Sequence, residues 1–131
     1  MNLSEFDLID KYFTTIMQRD DVVLGCGDDA AITRVTADID LIEASASTCS
    51  APMGADTATG LTDKCLAQLA QQGASPAWMT LALTMPAVDE AWLKEFSGAL
   101  LAWGAQHNVQ LIGGDTTRGP LCISIKVIGI R

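Results

Sequence analysis

Apolar positions along this chain recur with a period near about 3.6 in some stretches and about 2 in others, and the switches between the two mark the elements. After Ser4, the residues Phe6, Ile9, Phe13 and Ile16 fall at helical spacing, which predicts an amphipathic helix over residues 4–18 with Ser4 as its N-cap. Asp20 and Asp21 end it, and residues 22–24 read as a short strand. Residues 30–35 and 41–47 read as two further strands joined by a turn at 38–40, a hairpin. Residues 48–57 are small and polar and predict a loop. A helix follows over 58–72, with Leu61, Cys65, Leu66 and Leu69 on one side and Gly73 as its stop. From Ala77 to Met85 the pattern alternates, with Ala77, Met79, Leu81, Leu83 and Met85 on one face of a strand and Trp78, Thr80, Ala82 and Thr84 on the other. Asp89 caps a helix running to Gln106, whose buried stripe is Leu93, Phe96, Leu100 and Trp103. Residues 109–112 predict a strand, and residues 121–130 a long closing strand with Leu121, Ile123, Ile125 and Val127 on one face.

Interleaved helices and strands with a hairpin predict an α+β domain, a mixed sheet with helices on one face. The other face keeps Trp78, Ala82, Cys122, Ile128 and Ile130, and an apolar face of that kind needs a cover, for which a second copy of the chain is the natural candidate. With 131 residues the chain predicts one domain. A hydrophobic fraction of 49% and mean hydropathy of +0.26 exclude disorder. No apolar run reaches the roughly 20 residues of a membrane span, and the N-terminus lacks the basic and apolar regions of a secretory signal. A cytoplasmic protein without a membrane partner is expected. The net charge of −8 argues against nucleic-acid binding and is compatible with binding cations.

Cys26, Cys49, Cys65 and Cys122 show no zinc spacing and read first as small buried hydrophobes, with Cys26, between two glycines, the most accessible. His107 sits near a helix C-terminus, where a cation complements the dipole.

Candidate chemistry concentrates in two glycine tracts. Ile112-Gly113-Gly114-Asp115-Thr116-Thr117-Arg118-Gly119 puts a carboxylate, two hydroxyls and a guanidinium directly after paired glycines. That order suits a metal-bound polyphosphate, with Asp115 on a hard cation and Arg118 on phosphate oxygens. Gly25-Cys26-Gly27-Asp28-Asp29-Ala30-Ala31 offers two more carboxylates. Neither is a Walker A loop, because no Gly-Lys-Ser/Thr follows. The same carboxylates also suit turn closure or helix capping, and Arg118 also suits an ion pair with Asp28 or Asp115.

The series Glu5-Phe6-x-Leu8-Ile9, Leu24-Gly25-x-Gly27-Asp28-Asp29-Ala30-Ala31, Gly73-Ala74-Ser75-Pro76-Ala77-Trp78-Met79-Thr80-Leu81-Ala82-Leu83, Val88-Asp89-Glu90-Ala91-Trp92-Leu93 and Gln110-Leu111-Ile112-Gly113-Gly114-Asp115-Thr116-Thr117-Arg118-Gly119-Pro120 resembles the N-terminal domain of thiamine-monophosphate kinases. The resemblance covers nearly the whole chain, in order. It implies the fold shared with aminoimidazole-ribonucleotide synthetases, in which the four-stranded sheets of two subunits pair into a barrel-like homodimer with the nucleotide near the interface. It implies ATP and magnesium as cofactors and phosphorylation of thiamine monophosphate to the diphosphate. Carried over by position, Asp28, Asp29 and Asp115 match metal ligands, and Gly114, Asp115 and Arg118 match nucleotide contacts. No catalytic residue is assigned.

Several positions depart from the family pattern. Where Ser-Thr-Asp-Thr-Leu is usual, Ala44-Ser45-Ala46-Ser47-Thr48 stands, so a metal aspartate is replaced by Ala46. Met53-Gly54 replaces a His-Phe, and Cys65-Leu66-Ala67-Gln68 replaces Asn-Leu-Ser-Asp, so a second carboxylate is replaced by Gln68. Members of the family continue into a second domain beyond the position of Arg131, and a single domain without it is expected here. Two expectations follow. One is a domain that keeps the scaffold and dimer interface, is inactive alone and retains weakened magnesium and nucleotide binding. The other is a working part of a kinase completed by a second domain or a separate chain.

Overall fold

The computed structural model describes residues 9–13, 19–25, 31–50 and 54–131. A π-helical turn at Ile9–Phe13 precedes β1 (Val22–Leu24), β2 (Ile32–Thr33), β3 (Leu41–Thr48), α1 (Gly54–Gln71), β4 (Ser75–Met85), α2 (Glu90–His107), β5 (Gln110–Arg118) and β6 (Cys122–Ile130). Four strands form a mixed sheet in the order β3-β6-β4-β5, and β1 pairs separately with β2. β6 runs antiparallel to both its neighbours, whereas β4 and β5 are parallel. A parallel pair needs a crossover rather than a tight turn, and α2 is that crossover. The α+β expectation with a four-stranded mixed sheet therefore holds.

Both helices carry local signals for their ends and their buried faces. On α1, Ala58, Leu61, Thr62, Cys65 and Leu69 recur at three- and four-residue spacing and are buried. The one hydroxyl among them is satisfied, since Thr62 donates to the Ala58 carbonyl at 2.9 Å. Gly73, at φ 67°, turns left-handed and closes the helix. α2 begins where the Asp89 carboxylate accepts the Trp92 backbone N–H at 3.1 Å, and ends where Asn108 turns left-handed at φ 56°. Leu93, Phe96, Leu100 and Trp103 are its buried stripe, as the spacing predicts. Phe96 is held between Trp92, stacked at 4.9 Å, and Phe13, edge-on at 6.4 Å. The Trp103 indole N–H donates to Asp63 of α1 at 2.9 Å, tying the two helices. Both helices share one core with Met79, Leu81, Leu83 and Met85 of β4 and Ile123, Ile125 and Val127 of β6. Among the described residues the helices thus cover the inner face of the sheet.

Several expectations change. Of the strand expected over 30–35, the described residues 31–35 form strand only at Ile32–Thr33, which pairs with β1 rather than with β3. The hairpin is therefore not formed, and β3 pairs instead with the closing strand β6. β5 continues past the expected end at residue 112, through the second glycine tract to Arg118. Helix α1 starts at Gly54, inside the expected loop. Of the helix expected over 4–18, only Ile9–Phe13 is described, and Ser4 lies outside the described residues.

The outer face also differs. Trp78 is 1% exposed, so it does not await a second copy. Ala77, Trp78 and Ile112 form a second cluster with Val22, Ile128 and Ile130. A register break after Pro76 puts Ala77 in this cluster instead of the main core, which interrupts the simple alternation. The cover comes from the chain's own residues 19–22. Arg19 grips Asp21 with two hydrogen bonds of 3.0 and 2.9 Å, its guanidinium carbon lies 6.0 Å from the Trp78 ring centre, and the Trp78 indole N–H donates to Asp21 at 3.0 Å. The Gln110 side chain accepts the Arg19 backbone N–H at 2.7 Å.

This lock titrates. The Arg19 guanidinium hydrogen-bonded to Asp21, helped by the Trp78 N–H and opposed by partial burial, holds the Asp21 carboxyl below its usual range. A lowered folded pKa stabilises above the unfolded value of about 3.9 and is lost as pH falls through the folded one. Hydrogen exchange at the Trp78 indole N–H is therefore expected to accelerate below about pH 4 in the parent protein. In Asp21→Asn that exchange should be fast already at neutral pH, with about 1 kcal/mol of stability lost.

Candidate functional site

The glycine tract reaches the sheet surface because of a β-bulge. Met79 pairs with Leu111, but Thr80 pairs with Gly113, which leaves Ile112 as an extra residue in β5. The bulge shifts the alternation of everything after it. Asp115 lies opposite Ala82, an exposed residue on the face away from the helices. Across the sheet, Ser47, Ser124, Ala82 and Asp115 form one row, and Ser45, Lys126, Thr80 and Gly113 the next. These side chains are small except Lys126, so the two rows form a shallow open trough lined by Ser45, Thr80, Ala82, Asp115, Ser124 and Lys126.

Its chemistry is mixed. Asp115 is an exposed carboxylate at the β5 side. Lys126 stands on the central strand β6, with its ammonium 3.8 Å from Glu43 of β3. The Ser45 and Ser124 hydroxyls add donors and acceptors. An anion with a bound cation fits this pattern: the carboxylate takes the cation, and the ammonium and hydroxyls take the anion.

Gly114 lies between the two strands with φ 149°, and a Cβ there would come 1.9 Å from the Leu81 carbonyl oxygen. Its glycine is thus required by the close approach of β5 to β4. Gly114 and Asp115 both line the trough. Arg118 does not: it is three residues beyond Asp115, so alternation puts it on the other side of β5, opposite Met85 at the strand end. Thr117 pairs by hydroxyl with Thr84 at 2.9 Å. Asp28 and Asp29 lie outside the described residues. Ala46 packs on the inner face of β3, and Gln68 is exposed on α1, so neither shares the Asp115 face. Among the described residues, no three His, Cys, Asp or Glu side chains converge as a cation site.

Lys126, Ser45 and Ser124 were not singled out from the sequence. Alternation in the closing strand places Ser124 and Lys126 opposite Ile123, Ile125 and Val127, a signal that was available. Their proximity to Asp115 was not, since it requires the strand order.

Comparison with known proteins bears on this geometry. The family model described as AIR synthase related protein, N-terminal domain, matches residues 27–131. The chain belongs to this family. The thiamine-monophosphate kinase of Escherichia coli K12 is 42% identical over 139 residues, covering 98% of this chain and 42% of that protein. The thiamine-monophosphate kinase of Haemophilus influenzae Rd is 42% identical over 136 residues, with the same coverage of 98% and 42%. The crystal structure of thiamine-monophosphate kinase from Stenotrophomonas maltophilia K279a superposes with a TM-score of 0.83 at 39% identity, covering 100% of this chain and 43% of that one. The hydrogenase maturation protein HypE in complex with ATP shares the fold, with a TM-score of 0.70 at 19% identity over 93% of this chain and 38% of that one. The chain therefore spans less than half the length of the thiamine-monophosphate kinases it matches. Among the described residues no helix is long and apolar enough to cross a membrane.

Proposed function

We propose that this domain binds the polyphosphate of ATP together with a magnesium ion along the outer trough, and that alone it does not phosphorylate thiamine monophosphate. The supporting observation is the bulge that turns Asp115 onto the open face beside Lys126, Ser45 and Ser124. Magnesium is usually held by one or two carboxylates plus phosphate oxygens and water, and Asp115 fits such a role. Asp28 and Asp29, from the first glycine tract, are the proposed companions. The ion would neutralise charge on the polyphosphate, the main demand of phosphoryl transfer. Lys126 and the serine hydroxyls would orient the phosphates, and Gly114 keeps β5 close enough to β4 to hold Asp115 in place.

The proposed lack of unaided turnover rests on the scarcity of carboxylates: among the described residues Asp115 is the only one lining the trough, and Ala46 and Gln68, off that face, add none. It is tested by incubating the purified chain with ATP, magnesium and thiamine monophosphate and measuring thiamine diphosphate. No product above background is expected, and steady turnover would overturn the reading. The length of the related kinases favours a second reading, in which a further domain or chain completes the enzyme. Turnover appearing only on addition of such a region would support it.

Homodimerisation through the outer face is part of the proposal, in altered form. With Trp78 covered from within, the described open part of that face is small and polar apart from Leu41, 54% exposed at the start of β3. A dimer there would be wet and modest in affinity. Sedimentation at micromolar concentration is expected to show a concentration-dependent monomer–dimer equilibrium, and a monomer at every concentration would remove the pairing.

A further inference from the structure

Two thiols meet at the end of the outer face. Cys49 directly follows β3 and Cys122 opens β6, and their Sγ atoms lie 2.9 Å apart. The strand pairing explains why. Asp40 and Arg131 exchange both backbone hydrogen bonds, at 3.0 and 3.1 Å. From there the register runs unbroken from Leu41 opposite Ile130 to Thr48 opposite Ile123. Antiparallel pairs alternate between hydrogen-bonded and non-hydrogen-bonded. Counting on from Asp40–Arg131, the Thr48–Ile123 pair is hydrogen-bonded, and the next, Cys49–Cys122, is not. Facing residues in a non-hydrogen-bonded pair have Cα atoms about 4.5 Å apart, inside the roughly 4.4–6.8 Å that a disulfide spans. Cys49 is exposed and Cys122 half-buried, so an oxidant reaches the first and the second is placed to resolve it.

We propose that Cys49 and Cys122 are a reversible thiol–disulfide pair, oxidised by hydrogen peroxide, that staples the end of β3 to β6 beside the Asp115 trough. Peroxide transfers one oxygen to the Cys49 sulfur as its O–O bond breaks, giving a sulfenic acid and one water. The Cys122 sulfur then attacks the Cys49 sulfur. The S–S bond forms, the S–O bond breaks, and hydroxide leaves with the Cys122 proton as a second water. Two thiols and one peroxide thus give one disulfide and two waters, with two electrons passing from sulfur to oxygen. A small dithiol reverses the bond by exchange.

The reduced pair is the resting state in a reducing compartment. The hydrogen bond shared with Cys122, and partial desolvation, raise the Cys49 thiol above its ordinary range. Oxidation is therefore slow at neutral pH and faster as pH rises. The bond would act locally. Cys122 shares a sheet row with Thr84 and Thr117, next to the row of Ser124, Ala82 and Asp115. It would also fix the point where the chain leaves β3 for α1. This inference does not depend on the nucleotide reading, because its readouts are mass and melting.

The test uses the full chain, reduced and then treated with a small excess of hydrogen peroxide. Intact mass is expected to fall by two hydrogen atoms, and peptide mapping without reductant should show one Cys49–Cys122 cross-link within a single chain. Dithiothreitol should restore the mass, and the oxidised form should melt on the order of 10 °C higher, because the bond closes a long loop. Cys49→Ser, a change at an exposed position, should abolish both the mass change and the melting shift. The proposal is overturned if the mass does not change, or if Cys49 gains oxygen without cross-linking. A bond from either cysteine to Cys26, Cys65 or another chain overturns it equally.

Discussion

Gly114→Ala is expected to cost about 4 kcal/mol or more, a large share of the roughly 5–15 kcal/mol that holds a domain folded. The added Cβ would lie 1.9 Å from the Leu81 carbonyl oxygen and 2.9 Å from the Leu81 nitrogen. Both are backbone atoms of β4, so no rotamer change relieves the overlap. At φ 149° the backbone is also one that an L side chain rarely adopts. The only relief is to move β5 away from β4, which breaks their parallel pairing and withdraws Asp115 from the trough. Gly113→Ala is the control. Nothing lies within 4 Å of a Cβ at that position, and no left-handed φ is required. It should stay within about 1 kcal/mol of the parent. Urea denaturation of the two variants checks the contrast. Equal stabilities would mean that the second glycine of the tract is kept for ligand approach alone.

Asp115→Ala is expected to leave the fold intact and to weaken magnesium-dependent ATP binding at least about tenfold, equivalent to about 1.4 kcal/mol. The carboxylate is exposed, so its removal should change stability by no more than about 0.5 kcal/mol. Binding should suffer far more, because Asp115 is the one carboxylate among the described residues that lines the trough. Lys126→Met should lower affinity by a smaller factor, since Lys126 contributes a screened charge and already has Glu43 at 3.8 Å. Urea curves and calorimetry on the same samples separate folding from binding. A variant that is both folded and as tight as the parent would move the site off Asp115.

Some of this was legible from residue order alone. The stripe Leu93, Phe96, Leu100 and Trp103 and the alternation from Leu121 to Val127 report their burial directly, because each depends only on the period of its own element. Asp89 and Gly73 marked helix ends for equally local reasons. What required the structure was long-range or out of phase. Nothing local tells residues 41–47 that their partner is β6 rather than the nearer segment at 30–35. The bulge at Ile112 moves Asp115 from one sheet face to the other, and no periodicity across Gly113 and Gly114 signals it. The same break places Arg118 away from the trough despite its position three residues later. Trp78 read as uncovered because its cover, Arg19 and Asp21, comes from 57 residues upstream at the Asp21 hydrogen bond. Cys49 looked like one more small apolar residue until β3 and β6 were paired.

In the proposed reading the outer trough holds a nucleotide polyphosphate through a cation on Asp115. Calorimetric titration of the parent chain with ATP, with and without magnesium, decides this. Saturable binding of one nucleotide per chain, at least about tenfold tighter with magnesium than without it, is the expected result. No detectable heat in either titration, or binding of the same strength in both, would contradict it.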